Sequence, residues 1–366
     1  SRIRVLAVIP TLNGGTGKDL VQKAIKTDPG DVAITVYAYE EPGEFSTYAD
    51  GVEHVDVRSA NTPRLLPAIR QGRSLVADLD PDVVHAHLFK GYLAGVGMTA
   101  GRAANLIYSA QNNEDNWSLL KRTVHRSIND RCERLICISE AVREDFVRSA
   151  GVAESLTTVV PNSGDFERVR VDDPDPPDVP VVGTVARLHP YKGLDTLVEA
   201  TARVSDAYPD VACWLFGEDR GEQDRLESLA ADLGVAENVT FRGWTKDPYD
   251  RMAEMDVFVL PSVSEGFGMV VMEALAVGTP VVASRTGGIP DIVDDGETGW
   301  LVDPGDVATF ADRIQWCLDN PDRATQMAAR GRRRVRERFS ADRLASETVD
   351  VYRSVTNERG VETTTG

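Results

Sequence analysis

Two short segments concentrate the residues that could do chemistry. The first, Ala186-Arg187-Leu188-His189-Pro190-Tyr191-Lys192-Gly193, directly follows the apolar run Val181–Val185. Two cations so close together, beside a glycine and ahead of a helix-like stretch, suit a diphosphate: arginine as a bidentate fork, lysine as a mobile point charge. The second segment, Pro261-Ser262-Val263-Ser264-Glu265-Gly266-Phe267-Gly268-Met269, follows Val257–Leu260 and leads into Glu273-Ala274. Gly266 and Gly268 flank Phe267, so the backbone can approach a ligand closely. The stretch Met269–Val277 has helix character and stops at Gly278-Thr279-Pro280. A helix start behind a glycine turn offers N–H groups to an anion. If the whole stretch were helical, Glu265 and Glu273 would lie about 12 Å apart along the axis and about 80° around it, too far for one compact acid pair. They are better suited to bracket a pyrophosphate and accept hydroxyl hydrogens, although two surface glutamates on an amphipathic helix remain the alternative. A third glycine turn, Ser284-Arg285-Thr286-Gly287-Gly288-Ile289-Pro290-Asp291, follows another apolar run.

The first half holds weaker signals. Ile9-Pro10-Thr11-Leu12-Asn13-Gly14-Gly15-Thr16-Gly17-Lys18 ends a strand and opens a helix, but Lys18 lacks the spacing and the following Ser/Thr of a phosphate-cradling P-loop. In His85-Ala86-His87 the period of two points both imidazoles to one face of a strand end. A zinc pair would need a third ligand that is not near in sequence, and two buried structural histidines are the other reading. Leu119–Arg134 carries Lys121, Arg122, His125, Arg126, Arg131 and Arg134 beside Trp117, Leu119 and Leu120. Such a helix can lie on an anionic bilayer or simply present a solvated face.

These residues need a frame, and the apolar pattern supplies one. Strands are expected at Ile3–Ile9, Ala33–Ala38, Val83–His87, Leu106–Ser109, Leu135–Ile138 and Thr158–Val160, with helices at Asp19–Lys26, Pro63–Leu79 and Ser118–Arg131. The pattern restarts with Val181–Val185, Ala212–Phe216, Val239–Phe241, Val257–Leu260, Pro280–Ala283 and Gly299–Val302, interleaved with helices near Leu194–Ala207 and Glu222–Leu233. Near-continuous Val/Ile runs alternating with helices predict parallel sheets covered on both faces. The segment 172–180, rich in proline and aspartate, can form neither helix nor central strand and separates an expected domain 1–171 from a second at 181–339. The α/β class follows, with two Rossmann-like parallel-sheet domains that bind ligands outside the carboxyl ends of their strands. The tail from Phe310 is helical, with an arginine-rich run at Arg330–Arg338, and Glu358–Gly366 reads as disordered.

Charge narrows the function classes. The 366 residues carry 58 acidic and 40 basic side chains, net −18. Residues 1–170 hold 20 basic and 22 acidic groups, whereas the remainder holds 20 and 36. A nucleic-acid binder is excluded as a whole-protein reading, because phosphate backbones demand a basic footprint. An acidic, lysine-poor surface of this kind suits solvent of high salt, as in halophiles. Cys132, Cys137, Cys213 and Cys317 show no metal or redox spacing and read as reduced core residues of a cytoplasmic protein. The opening Arg2–Pro10 reads as a first strand rather than a secretory signal, and no apolar stretch is long enough for a membrane span.

Arg187…Lys192-Gly193, Glu265-Gly266-Phe267-Gly268 through Glu273-Ala274, and Gly287-Gly288-Ile289-Pro290-Asp291-Ile292-Val293 together resemble the family 4 retaining glycosyltransferases of GT-B fold. The likeness is specific over most of residues 180–302; the first half resembles the family in layout more than in letters. It implies two domains facing a central cleft, with 340–366 containing a C-terminal helix that returns to the N-terminal domain. It also implies a nucleoside diphosphate sugar as donor, with no separate cofactor and no metal. Arg187 and Lys192, with the main chain of Gly266, Phe267, Gly268 and Met269, would hold the pyrophosphate. Glu265 would contact donor-sugar hydroxyls and Glu273 the ribose, with the base near Phe241–Trp244 and Gly217-Glu218. Gly217-Glu218-Asp219-Arg220-Gly221 departs from the family's compact Gly-x-Gly-Pro turn. Gly14 and Gly15 would belong to the loop that approaches the donor phosphates and the acceptor. His87 would contact the donor sugar with His85 behind it, Asn112 would bind substrate, and Gln111 stands where the family carries histidine. The implied activity moves a hexose-type sugar to a glycan or lipid-linked acceptor in cell-surface glycoconjugate synthesis, in the cytoplasm or at the inner membrane face. A nucleotide-sugar epimerase and an inactive nucleotide-sugar-binding subunit are the competing readings.

Overall fold

Valine- and isoleucine-rich runs form two separate parallel sheets in the computed structural model, which describes residues 2–111, 119–164, 166, 169 and 178–362. The chain divides into one unit of residues 1–164 with 339–366 and a second of residues 165–338. Most of the Pro/Asp segment 172–180 lies outside the described residues, as do Asn112, Trp117 and the side chains of 119–121.

The first unit has seven parallel strands: β1 (Ile3–Thr11), β2 (Val32–Glu41), β3 (Val55–Ser59), β4 (Val83–His87), β5 (Asn105–Ala110), β6 (Arg134–Cys137) and β7 (Thr157–Val159). Their spatial order is β3-β2-β1-β4-β5-β6-β7. In β1, Val5 through Pro10 are buried without interruption, as expected of a central strand covered on both faces. β3 lies at the edge and alternates exposed Asp56 with less exposed Val57. That polar edge pattern explains why its sequence does not announce a strand. The apolar stretch around Gly91–Gly101 forms the helix Leu88–Thr99, which packs on β1, β4 and β5. No helix among the described residues is long and apolar enough to cross a membrane. The helix Ala341–Glu362 packs against the helix Gly14–Lys26 of the same unit and runs past Glu358, where the composition predicts disorder.

The basic helix expected at Ser118–Arg131 is broken into Leu119–Arg126 and Ile128–Arg131. His125 does not belong to its charged face. It is fully buried and stacks on Phe89, with ring centroids 4.9 Å apart. Arg122, Arg126 and Arg131 are exposed. Ser139 caps the helix Glu140–Asp145 by accepting a hydrogen bond from the Val142 amide at 3.2 Å.

The second unit has six parallel strands: β8 (Val181–Val185), β9 (Ala212–Phe216), β10 (Val239–Gly243), β11 (Val257–Leu260), β12 (Val281–Ser284) and β13 (Trp300–Val302). Their order, β10-β9-β8-β11-β12-β13, reverses direction between β8 and β11. Val182, Val257, Val259 and Val282 form a buried core with Leu197, Val198, Phe310 and Ile314 from two helices. All four cysteines are buried and unbridged.

Candidate active site

The reversal between β8 and β11 opens a crevice at their carboxyl ends, the place where doubly wound sheets bind ligands. Three loops meet there. The loop after β8 forms a short 3₁₀ turn at Pro190–Lys192, then the helix Leu194–Val204. The loop after β11 is tied to it by the Val263 amide, which donates to the Tyr191 carbonyl at 2.8 Å. The loop after β12 is tied in turn by the Gly288 amide, which donates to the Gly266 carbonyl at 3.2 Å. Gly287 permits the closest approach. It has φ +54, and a Cβ there would lie 1.5 Å from the Glu265 carbonyl oxygen. No other residue fits.

This stitching brings Lys192 and Glu265 into contact across the switch point. Lys192 Nζ donates to Glu265 Oε2 at 2.5 Å, with side chains only 11% and 17% exposed. An ammonium has three donors, so Lys192 can serve further acceptors while it holds Glu265. Arg187 is exposed; its Nη2 donates to the Tyr191 hydroxyl at 2.7 Å, and among the described residues it pairs with no carboxylate. Tyr191 also lies beneath the Lys192 ammonium, 5.3 Å from its ring centroid. The sequence pattern picks out the cations but passes over Tyr191, which touches both.

The helix of the second segment begins at Met269, after Gly268 at φ +100, so Glu265 sits in the loop and not on the helix. The all-helical spacing of the two glutamates therefore does not apply. Glu273 lies on the helix, is buried, and accepts a long hydrogen bond from the Tyr249 hydroxyl at 3.5 Å. Phe267 is buried at the turn, leaving Gly266 and the start of Met269–Val277 partly accessible. The Val271 and Met272 amides donate to the Gly268 carbonyl at 2.9 and 3.3 Å, and helix geometry leaves the amides of Met269 and Val270 without an intrahelical acceptor.

The departure at Gly217–Gly221 has a structural explanation. Leu188 and Asp219 form an isolated parallel bridge, with the Leu188 amide donating to the Glu218 carbonyl at 2.9 Å. Asp219 Oδ1 then accepts amides of Glu222, Gly221 and Gln223 ahead of the helix Gln223–Asp232, which lowers its pKa. Nearby, at the end of β10, the Trp244 indole is 68% exposed.

In the first unit, Gly14 and Gly15 are exposed at the start of Gly14–Lys26, and the Gly14 amide donates to Glu44 Oε1 at 3.2 Å. His85 and His87 share one face of β4, as the alternation predicts, with ring centroids 4.1 Å apart. Both are buried. They border a cavity of about 30 Å³ lined also by Asp19, Lys23, Ser109, Gln111 and Tyr352. His85 is bonded on both nitrogens, whereas among the described residues neither nitrogen of His87 has a hydrogen-bond partner. Burial first, and Lys23 second, pushes His87 down to about 3; burial also holds His85 far below its ordinary range. Both imidazoles are therefore neutral at neutral pH. Lys23 and Asp19, unremarked in the sequence, form a buried pair at 3.0 Å beside them. The third ligand that zinc would need does not emerge: among the described residues no three His, Cys, Asp or Glu side chains gather for a metal.

Residues 165–334 match the family described as Glycosyl transferases group 1, and residues 28–168 match Glycosyltransferase Family 4. The GDP-mannose-dependent alpha-(1-6)-phosphatidylinositol monomannoside mannosyltransferase of Mycobacterium tuberculosis H37Rv is 32% identical over 355 residues, covering 88% of this chain and 89% of its own length. The lipopolysaccharide core biosynthesis glycosyltransferase LpsE of Rhizobium meliloti is 40% identical over 178 residues, about half of either chain. Among solved structures, Anabaena Alr3699/HepE in complex with UDP and glucose superposes with a TM-score of 0.82 at 23% identity, over 96% of this chain and 100% of that one. That last likeness is one of fold.

Proposed function

The chain belongs to the group 1, family 4 glycosyltransferases of GT-B fold, and on that footing we propose that it moves a hexose-type sugar from a nucleoside diphosphate sugar to a hydroxyl acceptor with retention at the anomeric carbon. The observation that carries this reading is the Lys192–Glu265 pair bridging the β8/β11 switch point, with Arg187 alongside and no carboxylate of its own. In a unit so rich in acid, two cations kept in the loop at the carboxyl end of β8 serve an anion.

Arg187 and Lys192 would meet the charge that develops on the leaving diphosphate as the bond from C1 to the phosphate oxygen breaks, aided by the amides at Met269. Glu265 would accept a sugar hydroxyl, and Glu273 the ribose. The acceptor hydroxyl would attack C1 from the face the diphosphate leaves, its proton passing to the departing phosphate oxygen. The products are a glycoside and a nucleoside diphosphate, and no covalent enzyme intermediate is required. His87 keeps the sugar-contacting role the resemblance gives it, and Gly14, Gly15 and Asn112 their places on the substrate. No separate cofactor or metal enters this scheme.

The M. tuberculosis relative is named for a phosphatidylinositol-borne acceptor and the R. meliloti relative for lipopolysaccharide core, which supports a lipid-linked glycan acceptor here. Exposed Arg122, Arg126 and Arg131 would contact an anionic membrane. Incubation with GDP-mannose, UDP-glucose and other nucleotide sugars, following release of nucleoside diphosphate with and without lipid acceptor, tests the activity. Conversion of donor to an epimer with no acceptor dependence would favour the epimerase; absence of turnover with every donor, despite thermal protection, would favour the inactive binding subunit. Co-sedimentation with anionic vesicles at low salt tests the membrane contact, and no binding there rejects it.

A further inference from the structure

The His85 ring is held at both ends. Its Nδ1 lies 2.8 Å from the Tyr352 hydroxyl and its Nε2 lies 2.7 Å from Ser109 Oγ. A neutral imidazole carries one donor and one acceptor, while each hydroxyl can serve as either. Either neutral tautomer therefore satisfies both partners, whereas a flip of the ring would set carbons in place of both nitrogens and lose both bonds. Tyr352 comes from the helix Ala341–Glu362, is buried, and meets His85 edge-on at 5.6 Å and 79°.

His87 is the opposite case. It packs against His85 at 4.1 Å, borders the small cavity and, among the described residues, has no hydrogen-bond partner on either nitrogen. Gln111 Oε1 on the same cavity also has no partner among the described residues. An unmet buried polar group is costly, so this one is either compensated by something that enters or maintained for a use. About 30 Å³ is room for a water or a ligand hydroxyl, and Lys23 and Asp19 are already engaged with each other.

We propose that Tyr352 and Ser109 are positioning residues for His87: by occupying both nitrogens of His85 they prevent that ring from bonding to its neighbour, and so reserve the hydrogen-bonding capacity of His87 for a ligand at the cavity. The proposal rests on the reading of His87 as the histidine that meets the donor sugar. Burial keeps both rings uncharged, so the clamp works between neutral groups. Tyr352 touches His85 alone in this chain of effects and acts through it.

The test uses the full chain with Tyr352→Phe and, separately, Ser109→Ala. Imidazole ¹⁵N spectra, assigned through His87→Asn, report the bonding state of each ring. In both variants the ring nitrogens of His85 and His87 should shift together. Donor turnover should fall about tenfold in kcat with the donor KM within about twofold, as expected for loss of an oriented partner rather than of binding. Unmoved His87 nitrogens in either folded variant, or an unchanged kcat in both, overturns the proposal. Should the native chain turn over no donor, the proposed activity fails, while the ¹⁵N spectra still decide the clamp on their own.

Discussion

Replacing Lys192 by methionine separates two jobs that the structure gives to one ammonium. Lys192 and Glu265 meet at 2.5 Å, each less than a fifth exposed. At an effective dielectric of about 20, opposite unit charges at that separation attract by about 6–7 kcal/mol. Desolvation of both groups offsets much of this, yet deleting one partner leaves the other charged and buried, at about 3–5 kcal/mol. With some solvent still reaching the carboxylate, about 3 kcal/mol is the expected loss for Lys192→Met, or roughly 6–12 °C in the melting temperature of a unit this size. Glu265→Gln alone strands the ammonium and should cost a similar amount. The double variant leaves no unpaired charge and should recover most of the melting temperature. It should not recover turnover, because the phosphate-facing cation is still missing; kcat should remain at least about tenfold down. Calorimetry on the four proteins, with donor hydrolysis measured below every transition, reads both quantities. Strictly additive thermal losses would refute the electrostatic argument, and native kcat in Lys192→Met would refute the phosphate assignment.

Gly287→Ala should displace Glu265, whose carbonyl oxygen lies 1.5 Å from where the new methyl must sit, and cost more than about 4 kcal/mol; a melting temperature within about two degrees of native contradicts this. Arg187→Ala should cut kcat at least about tenfold with little thermal change, since the side chain is exposed and held only by Tyr191; equal kcat sinks its role. Acid should destabilise the first unit earlier than its carboxylates alone would. The folded pKa of His87, about 3, lies below the unfolded value near 6.5, so the unfolded chain binds the extra proton between them. The stabilisation is complete above about pH 6.5 and declines as pH falls, by about 1.4 kcal/mol per unit for each of His85 and His87, levelling near pH 3 for His87. His87→Asn should roughly halve that slope, and a native unfolding free energy flat from pH 6 to 5 would refute it.

The strands that touch the site are legible because they are short apolar runs with a proline at one end, Pro180 ahead of the first and Pro261 behind the second. Val181–Val185 and Val257–Leu260 have the expected bounds, and the cations and glutamates stand immediately after them. What could not be read is what those side chains do to one another. Nothing in the spacing of Lys192 and Glu265 says that they pair, because the contact depends on β11 lying beside β8 rather than beside its own chain neighbour β10. Tyr191 and Tyr249 were passed over because a lone aromatic in a loop carries no pattern. The helix start at Gly14 was placed late, at Asp19, since glycine opposes helix on propensity alone; Gly17 is needed there to let the helix pass Leu12. His125 was misassigned to a charged face because histidine counts as basic in composition, while its ring packs here as an aromatic. The link from His85 to Tyr352 crosses 267 residues and has no local signal at all.

That link has a consequence for how the molecule is made. The second unit is one continuous stretch, 165–338, and can close on itself while synthesis is still under way. The first unit cannot. One side of its cavity, its Tyr352 and the carbonyl of Val355 that accepts from the Asn105 side-chain amide all come from a helix translated after the second unit. The flank of the Gly14–Lys26 helix thus stays uncovered throughout translation of the second unit, until the segment after residue 338 arrives.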